Sequence, residues 1–204
     1  MKILIHRGAN QIGGCITEIQ SAAGTRILID LGHNLPGESE QGDKFDDPSN
    51  LSTLLDGISG IIYTHNHGDH LGFYHQVPET IPQYIGQMSR EVVLNILDES
   101  LNKANRSNRK SLIEEIEYKA SILKTFSTYI SGQEFAVGDI KITPYFVSHS
   151  AADSHLLLIE CDGKRVVQTG DLREHGFLGK GLEKNSANTN RCGCTYNGRD
   201  NALK

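Results

Sequence analysis

Thr64-His65-Asn66-His67-Gly68-Asp69-His70 follows the run Ile58–Tyr63, which is apolar apart from a serine and a glycine and reads as a buried strand. Four metal-ligating side chains, His65, His67, Asp69 and His70, fall within six residues. In an extended segment His65 and His67 point to the same side and can grip one cation. A tight turn at Gly68 would then swing Asp69 and His70 toward a second. Imidazole and carboxylate donors suit zinc, with manganese and iron as alternatives. A histidine-rich surface loop is the competing reading. Delivery of these residues by the C-terminal end of a buried strand, where open α/β folds place their chemistry, argues against it.

Two later polar residues also stand at strand ends. His149 follows Tyr145-Phe146-Val147, and Asp171 follows Val166-Val167-Gln168-Thr169-Gly170. Alone, each reads as structural, since an aspartate after glycine is usually a turn or cap. With the first cluster they complete two donor sets: His65, His67 and His149 for one cation, and Asp69, His70 and Asp171 for the other, with Asp171 able to bridge. Asp69 can also orient the attacking water. Ser148, Ser150 and Ser154 either bond a phosphate oxygen or cap a turn. His33 and His75 read as pocket-wall or surface residues, and His6 and His155, in strand-like runs, as structural.

Around this centre the chain opens with three β-rich runs, Lys2–His6, Cys15–Gln20 and Arg26–Leu31, punctuated by glycine-rich turns that imply antiparallel pairing. Gly13-Gly14, without the remainder of a phosphate-loop pattern, reads as a hairpin turn. Residues 32–50 form a long polar loop. Ser89–Leu101 carries a helical apolar stripe, and Ser111-Leu112-Ile113-Glu114 matches a capping box that opens a second helix. The basic turn between them, with Lys103, Arg106, Arg109 and Lys110, is a solvated connection or a contact for a polyanion. Strands return at Glu134–Val137, Ile140–Val147, His155–Cys161 and Arg165–Gln168. Strands, helices and strands again give an α/β class. The expected division is a domain over residues 1–184 and a polar, poorly ordered tail over 185–204, where five asparagines replace apolar periodicity.

At 204 residues, 37% hydrophobic and 22% charged, the chain suits one globular domain. No apolar run approaches the length of a membrane span. The net charge of −5 excludes simple whole-surface attraction to nucleic acid, but not an enzyme whose metals attract phosphate. The apolar start is too short for a secretory signal, so the four cysteines are expected as reduced thiols in a cytoplasm. Cys15 and Cys161 read as small core residues, and Cys192-Gly193-Cys194 lacks the second pair a zinc ribbon needs.

The order His-x-His-x-Asp-His, then His149, then Thr169-Gly170-Asp171 resembles the metallo-β-lactamase superfamily. Within it the chain is most similar to the N-terminal part of ribonuclease J-like enzymes of the β-CASP branch. Gln11-Ile12-Gly13-Gly14 with Ile29-Asp30-Leu31-Gly32 resembles that family's opening. Ser148-His149-Ser150-Ala151-Ala152-Asp153-Ser154 resembles its His-Ser-x-Pro-Asp-Ser segment, with Ala152 in place of proline, and Gln168–Arg173 resembles its Tyr-Thr-Gly-Asp-Phe-Lys. The resemblance implies an αββα sandwich cut before its C-terminal elements, because that branch inserts a second domain after Thr-Gly-Asp and returns with a further histidine. It implies two divalent metals, zinc first, an activated hydroxide, and a phosphodiesterase or ribonuclease acting on single-stranded RNA. The alternatives are hydrolysis of a small ester, thioester or lactam at the same centre, and a metal-binding or assembly module without catalysis.

Overall fold

The computed structural model describes residues 1–35, 45, 48–173 and 195–196. The first sheet contains β1 (Lys2–Arg7), β2 (Ile16–Gln20), β3 (Arg26–Ile29), β4 (Gly60–Ile62), β5 (Gln83–Gly86) and β6 (Ser127–Tyr129), in that spatial order. β1 to β3 are antiparallel, and β3 to β6 run parallel. The second sheet contains β7 (Phe135–Val137), β8 (Ile140–Phe146), β9 (His155–Cys161), β10 (Lys164–Gln168) and β11 (Thr195–Tyr196), in the order β11-β10-β9-β8-β7. Its pairs are antiparallel except β10 with β11.

Side-chain alternation sorts the core into layers. On β3 and β4, Ile27, Ile29 and Ile62 face the second sheet, where they meet Ile140, Ile142, Leu157 and Ile159. Leu28 and Ile61 face the other way, onto a core shared with Leu51, Leu54 and Leu55 of α1 (Pro48–Leu55) and Leu123 of α4 (Lys110–Lys124). The alternate residues of β9 and β10, Leu156, Leu158 and Val167, pack with Val147 on the outer face of the second sheet. The mixed α/β sandwich anticipated from the sequence is therefore the architecture.

Local expectations were met unevenly. β9 has the expected limits, and the helices extend past theirs: α3 covers Gln87–Arg106. The capping box is absent. α4 begins at Lys110 after Arg109, with no side-chain cap, so Ser111 lies inside the first turn. The polar loop is shorter than expected, because Phe45 is buried in the core and α1 starts at Pro48. β5 and β6 were not anticipated, being only four and three residues long. Cys161 is buried, whereas Cys15 precedes β2 and is only partly buried. Of the expected tail, Thr195–Tyr196 pair with Val167–Gln168, and the remainder, including Cys192 and Cys194, lies outside the described residues. Among the described residues no helix is long and apolar enough to cross a membrane.

Candidate metal centre

β3 and β4 are parallel neighbours, and their C-terminal ends deliver Asp30 and Thr64-His65 to one end of the first sheet. β8 and β10 both pair antiparallel with β9 and so point the same way, delivering His149 and Asp171. The two ends are tied together by the His155 N–H, which donates to the Thr64 carbonyl at 3.1 Å, while within the first sheet the Tyr129 hydroxyl donates to the Tyr63 carbonyl at 2.5 Å.

Gly68–Leu71 forms a single helical turn, α2, rather than the simple tight turn expected at Gly68. It is laced to the segment after β3 by main-chain bonds: Leu31 N–H to His70 O at 2.7 Å, His33 N–H to Gly68 O at 3.0 Å and Phe73 N–H to Leu31 O at 3.0 Å. This close pairing explains Gly32. A β-carbon there would fall 1.7 Å from the Asp69 carbonyl oxygen. Gly13 plays a similar part in the β1–β2 connection, since a β-carbon would meet the Asp69 carboxylate at 2.6 Å and the backbone has φ +69°. The glycine pair is thus the wall of the site as well as a turn. Buried Arg7 holds both walls, donating to the carbonyls of Gly14 and Gly32.

All six residues singled out from the sequence converge. Donor atoms of His65, His67, His149 and Asp171 lie within 4.8 Å of one another, and so do those of Asp69, His70 and Asp171. Asp171 belongs to both groups. The His67 and His149 ring nitrogens approach to 3.2 Å, and Asp171 stands 3.6 Å from His149 and 3.4 Å from His70.

The sequence reading missed Asp30 and Thr64 as parts of the site. Asp30 is fully buried, with φ +60°. Its carboxylate accepts from the Thr64 N–H at 2.7 Å and the Thr64 hydroxyl at 2.9 Å, and contacts His70 Nδ1 at 2.8 Å. An anionic neighbour at Nδ1 fixes the proton there and leaves Nε2 as the donor lone pair. Thr64 Oγ1 is 3.0 Å from His65 Nδ1 and orients that ring in the same way. The available signal was an aspartate directly after the apolar strand Arg26–Ile29.

Burial and the carboxylates divide the rings: His65 is held neutral, whereas His70 is held toward its protonated form, so a cation there would have to displace the Nε2 proton. Burial, with the adjacent His70, His149 and His67 rings, pushes the pKa of His65 well below its usual value, which keeps that ring neutral. Burial opposes charge on His70 as well, but the Asp30 and Asp171 carboxylates outweigh it and hold its pKa well up. Burial raises the Asp171 carboxyl, yet the His70 ring 3.4 Å away and the charges of His149 and His67 bring it below the ordinary value. Burial pushes the Cys15 thiol up to about 12, so it stays protonated beside the site. Two buried nitrogens, His65 Nε2 and His70 Nε2, have no hydrogen-bond partner among the described residues. Such orphaned donors are costly unless something binds them, and a divalent cation is the ligand their chemistry fits.

The other histidines lie elsewhere. His6 bonds Glu18 at 2.8 Å on the first sheet. His33 packs on Phe73, and His75 is the middle residue of the 3-10 turn Tyr74–Gln76, where burial, helped by Lys119, lowers it to about 4. His155 faces Tyr129 inside the sandwich. Ser154 donates to the Ala151 carbonyl, a turn-capping role, and Ser150 Oγ is 3.4 Å from His149. A cavity of 780 Å³ lined by Asp56, Ile58, Pro78 and Ile81 opens at the N-terminal ends of β4 and β5, away from the histidines.

Known proteins share this fold. Ribonuclease J of Helicobacter pylori (strain ATCC 700392 / 26695) is 29% identical over 177 residues, covering 85% of this chain but only 23% of that protein. A protein of unknown function from Enterococcus faecalis V583 superposes with a TM-score of 0.74 at 16% identity, over 96% of this chain and 49% of that one. A metallo-beta-lactamase with a HARLDQ motif from Cronobacter sakazakii superposes with a TM-score of 0.53 at 15% identity, over 85% of this chain and 66% of its own. Residues 16–190 match the family described as the metallo-beta-lactamase superfamily, and the chain belongs to it as a member of that hydrolase class.

Proposed function

We propose that the chain carries a two-metal hydrolytic centre that cleaves phosphodiester bonds in single-stranded RNA, as the name of its Ribonuclease J relative suggests. The observation that carries this reading is the sharing of Asp171 between two donor sets. His65, His67 and His149 would hold one divalent cation, Asp69 and His70 the other, and Asp171 would bridge them. Zinc suits the imidazole-rich first set, and manganese or iron suits the second equally well. Two cations there would supply Lewis acidity toward a phosphoryl oxygen and a water acidified to near neutrality. The chain's own groups do the rest. Asp30 and Thr64 keep His70 and His65 in the ligating tautomer. Asp69, walled by Gly13, orients the nucleophilic water and accepts its proton. Asp171, shared by both donor groups, would offset the repulsion between two such cations.

Its place of work on this reading is the cytoplasm. The test pairs native mass spectrometry after zinc loading with turnover of single-stranded RNA, a lactone and a thioester. Two bound metals with RNA cleavage are expected. Two metals with ester turnover alone would assign a different substrate, and one metal or none would reduce the chain to a binding module.

A further inference from the structure

The tip of the α3–α4 hairpin holds Lys103, Arg106, Arg109 and Lys110 within eight residues that contain no acid, in a chain whose net charge is −5. All four are exposed, and none makes a side-chain hydrogen bond or ion pair among the described residues. Glu99 and Glu114, one turn away on each helix, do not pair with them. Helix electrostatics account for only half the cluster. Lys103 and Arg106 lie in the last turn of α3, where cations complement the helix dipole. Arg109 is the N-cap of α4 and Lys110 its first residue, where the dipole disfavours cations, and that turn has no acid to offset them. Two cations placed against a dipole and left unpaired contribute nothing to the hairpin's stability and present charge to solvent.

The base of the hairpin is fastened beside the metal centre. α3 starts against the loop that carries His149: the Asp153 carboxylate accepts from the Met88 and Ser89 N–H groups at 2.9 and 3.1 Å. From there to Lys103 the helix rises about 24 Å at roughly 1.5 Å per residue. We propose that this tip is a second contact for the nucleic-acid strand, binding its phosphates about seven stacked nucleotides (roughly 3.4 Å each) along the strand from the point where α3 meets the His149 loop. This rests on the RNA-cleaving reading for its substrate class. Asn102, Asn105 and Asn108, interleaved with the cations, supply neutral groups for sugar and phosphate oxygens.

The test uses a fluorescent oligouridylate of about twenty nucleotides, with EDTA present so that nothing is cleaved. Anisotropy titrations compare the wild type with a tip variant (Lys103→Gln, Arg106→Gln, Arg109→Gln, Lys110→Gln) and a control variant (Lys2→Gln, Lys124→Gln, Lys141→Gln, Lys164→Gln). Single-strand binding loses about 0.7 in log–log salt slope per phosphate contact, so four contacts account for a slope of about 2.8. Between about 50 and 200 mM salt the wild type should therefore lose about fifty-fold in affinity through these contacts, a fall the tip variant lacks and the control variant keeps. Turnover of bis(p-nitrophenyl) phosphate by the zinc-loaded tip variant should equal wild type, since that substrate cannot reach the tip. Absence of oligouridylate binding by the wild type, an unchanged slope in the tip variant, or an equal loss in the control would overturn the inference. A slope change with no diester or RNA turnover in any protein would leave the tip contact standing and remove the catalytic reading.

Discussion

Replacing Asp30 by asparagine, and separately by alanine, divides its structural role from its effect on the metal centre. Alanine leaves the Thr64 N–H and the His70 Nδ1–H without acceptors in a fully buried site. Each orphan costs about 1–3 kcal/mol, and forcing alanine into the left-handed backbone at φ +60° adds about 1–2 kcal/mol. The sum is on the order of 5 kcal/mol. At about 2–4 °C per kcal/mol for a chain of this size, Tm falls by roughly 10–20 °C. Asparagine tolerates that backbone and keeps a carbonyl for Thr64, so its cost is about 1 kcal/mol. Its amide, however, presents a donor to His70 Nδ1. The imidazole proton must then move to Nε2, the nitrogen that would face a cation. Loss of such an orienting partner typically weakens metal affinity by about 10- to 100-fold. Calorimetric unfolding with zinc titration by native mass spectrometry reads both effects on one sample. A well-folded Asp30→Asn protein that binds its second metal as tightly as wild type would refute the tautomer argument.

Asp171→Ala should keep the fold by circular dichroism, lower the metal stoichiometry from two to one and abolish most phosphodiester turnover; unchanged metal content would remove the bridging role. Gly32→Ala places a β-carbon 1.7 Å from the Asp69 carbonyl oxygen, so the loop must shift. Overpacking of this kind costs about 1–3 kcal/mol or more, and a thermal melt beside a metal titration should show both properties fall. Buried Glu18 is raised by burial but brought below its usual 4.5 by the hydrogen bonds of Arg26 and His6. A depressed folded pKa gives stability that is present above 4.5 and lost as pH falls through the folded value. Glu18→Gln should therefore melt lower than wild type near neutrality, and the gap should close as pH falls below 4.5 and through the depressed folded value; a gap that stays constant with pH contradicts the linkage.

The donor residues were legible because they are chemically rare and sit directly after apolar runs: His65 after β4, His149 after β8, Asp171 after β10. β9 was legible for the same reason, being seven residues of almost unbroken apolar sequence. What could not be read is long-range. β5 and β6 are too short to carry a period, and exist because they complete a parallel edge beside β4. Phe45 lies in an acidic stretch, and only the packed core shows why it is buried. Asp30 looks like a residue leaving a strand; its role depends on Thr64 and His70, 34 and 40 residues away. The capping box at Ser111 failed because the chain turns three residues earlier, at Asn108 with φ +49°.

The two halves of the centre are held with unequal firmness. On the first sheet, His65 and His70 are buried, and their Nδ1 atoms are fixed by Thr64 and Asp30. The second sheet contributes His149 and Asp171 from loops past the ends of β8 and β10. A main-chain bond joins those loops to each other, Arg173 N–H to Ser148 O at 2.7 Å, and Asp153 and Ser89 fasten the His149 loop to α3. A set of donors divided this way has one pre-organised wall and one wall whose position depends on how the two sheets and α3 are packed. Pre-organisation on the Asp30 side sets which nitrogen can donate, and packing on the other side sets whether the donors reach a common point. Cation affinity should therefore be sensitive to Asp30 through proton placement and to Asp153 through distance, although neither belongs to the two donor groups.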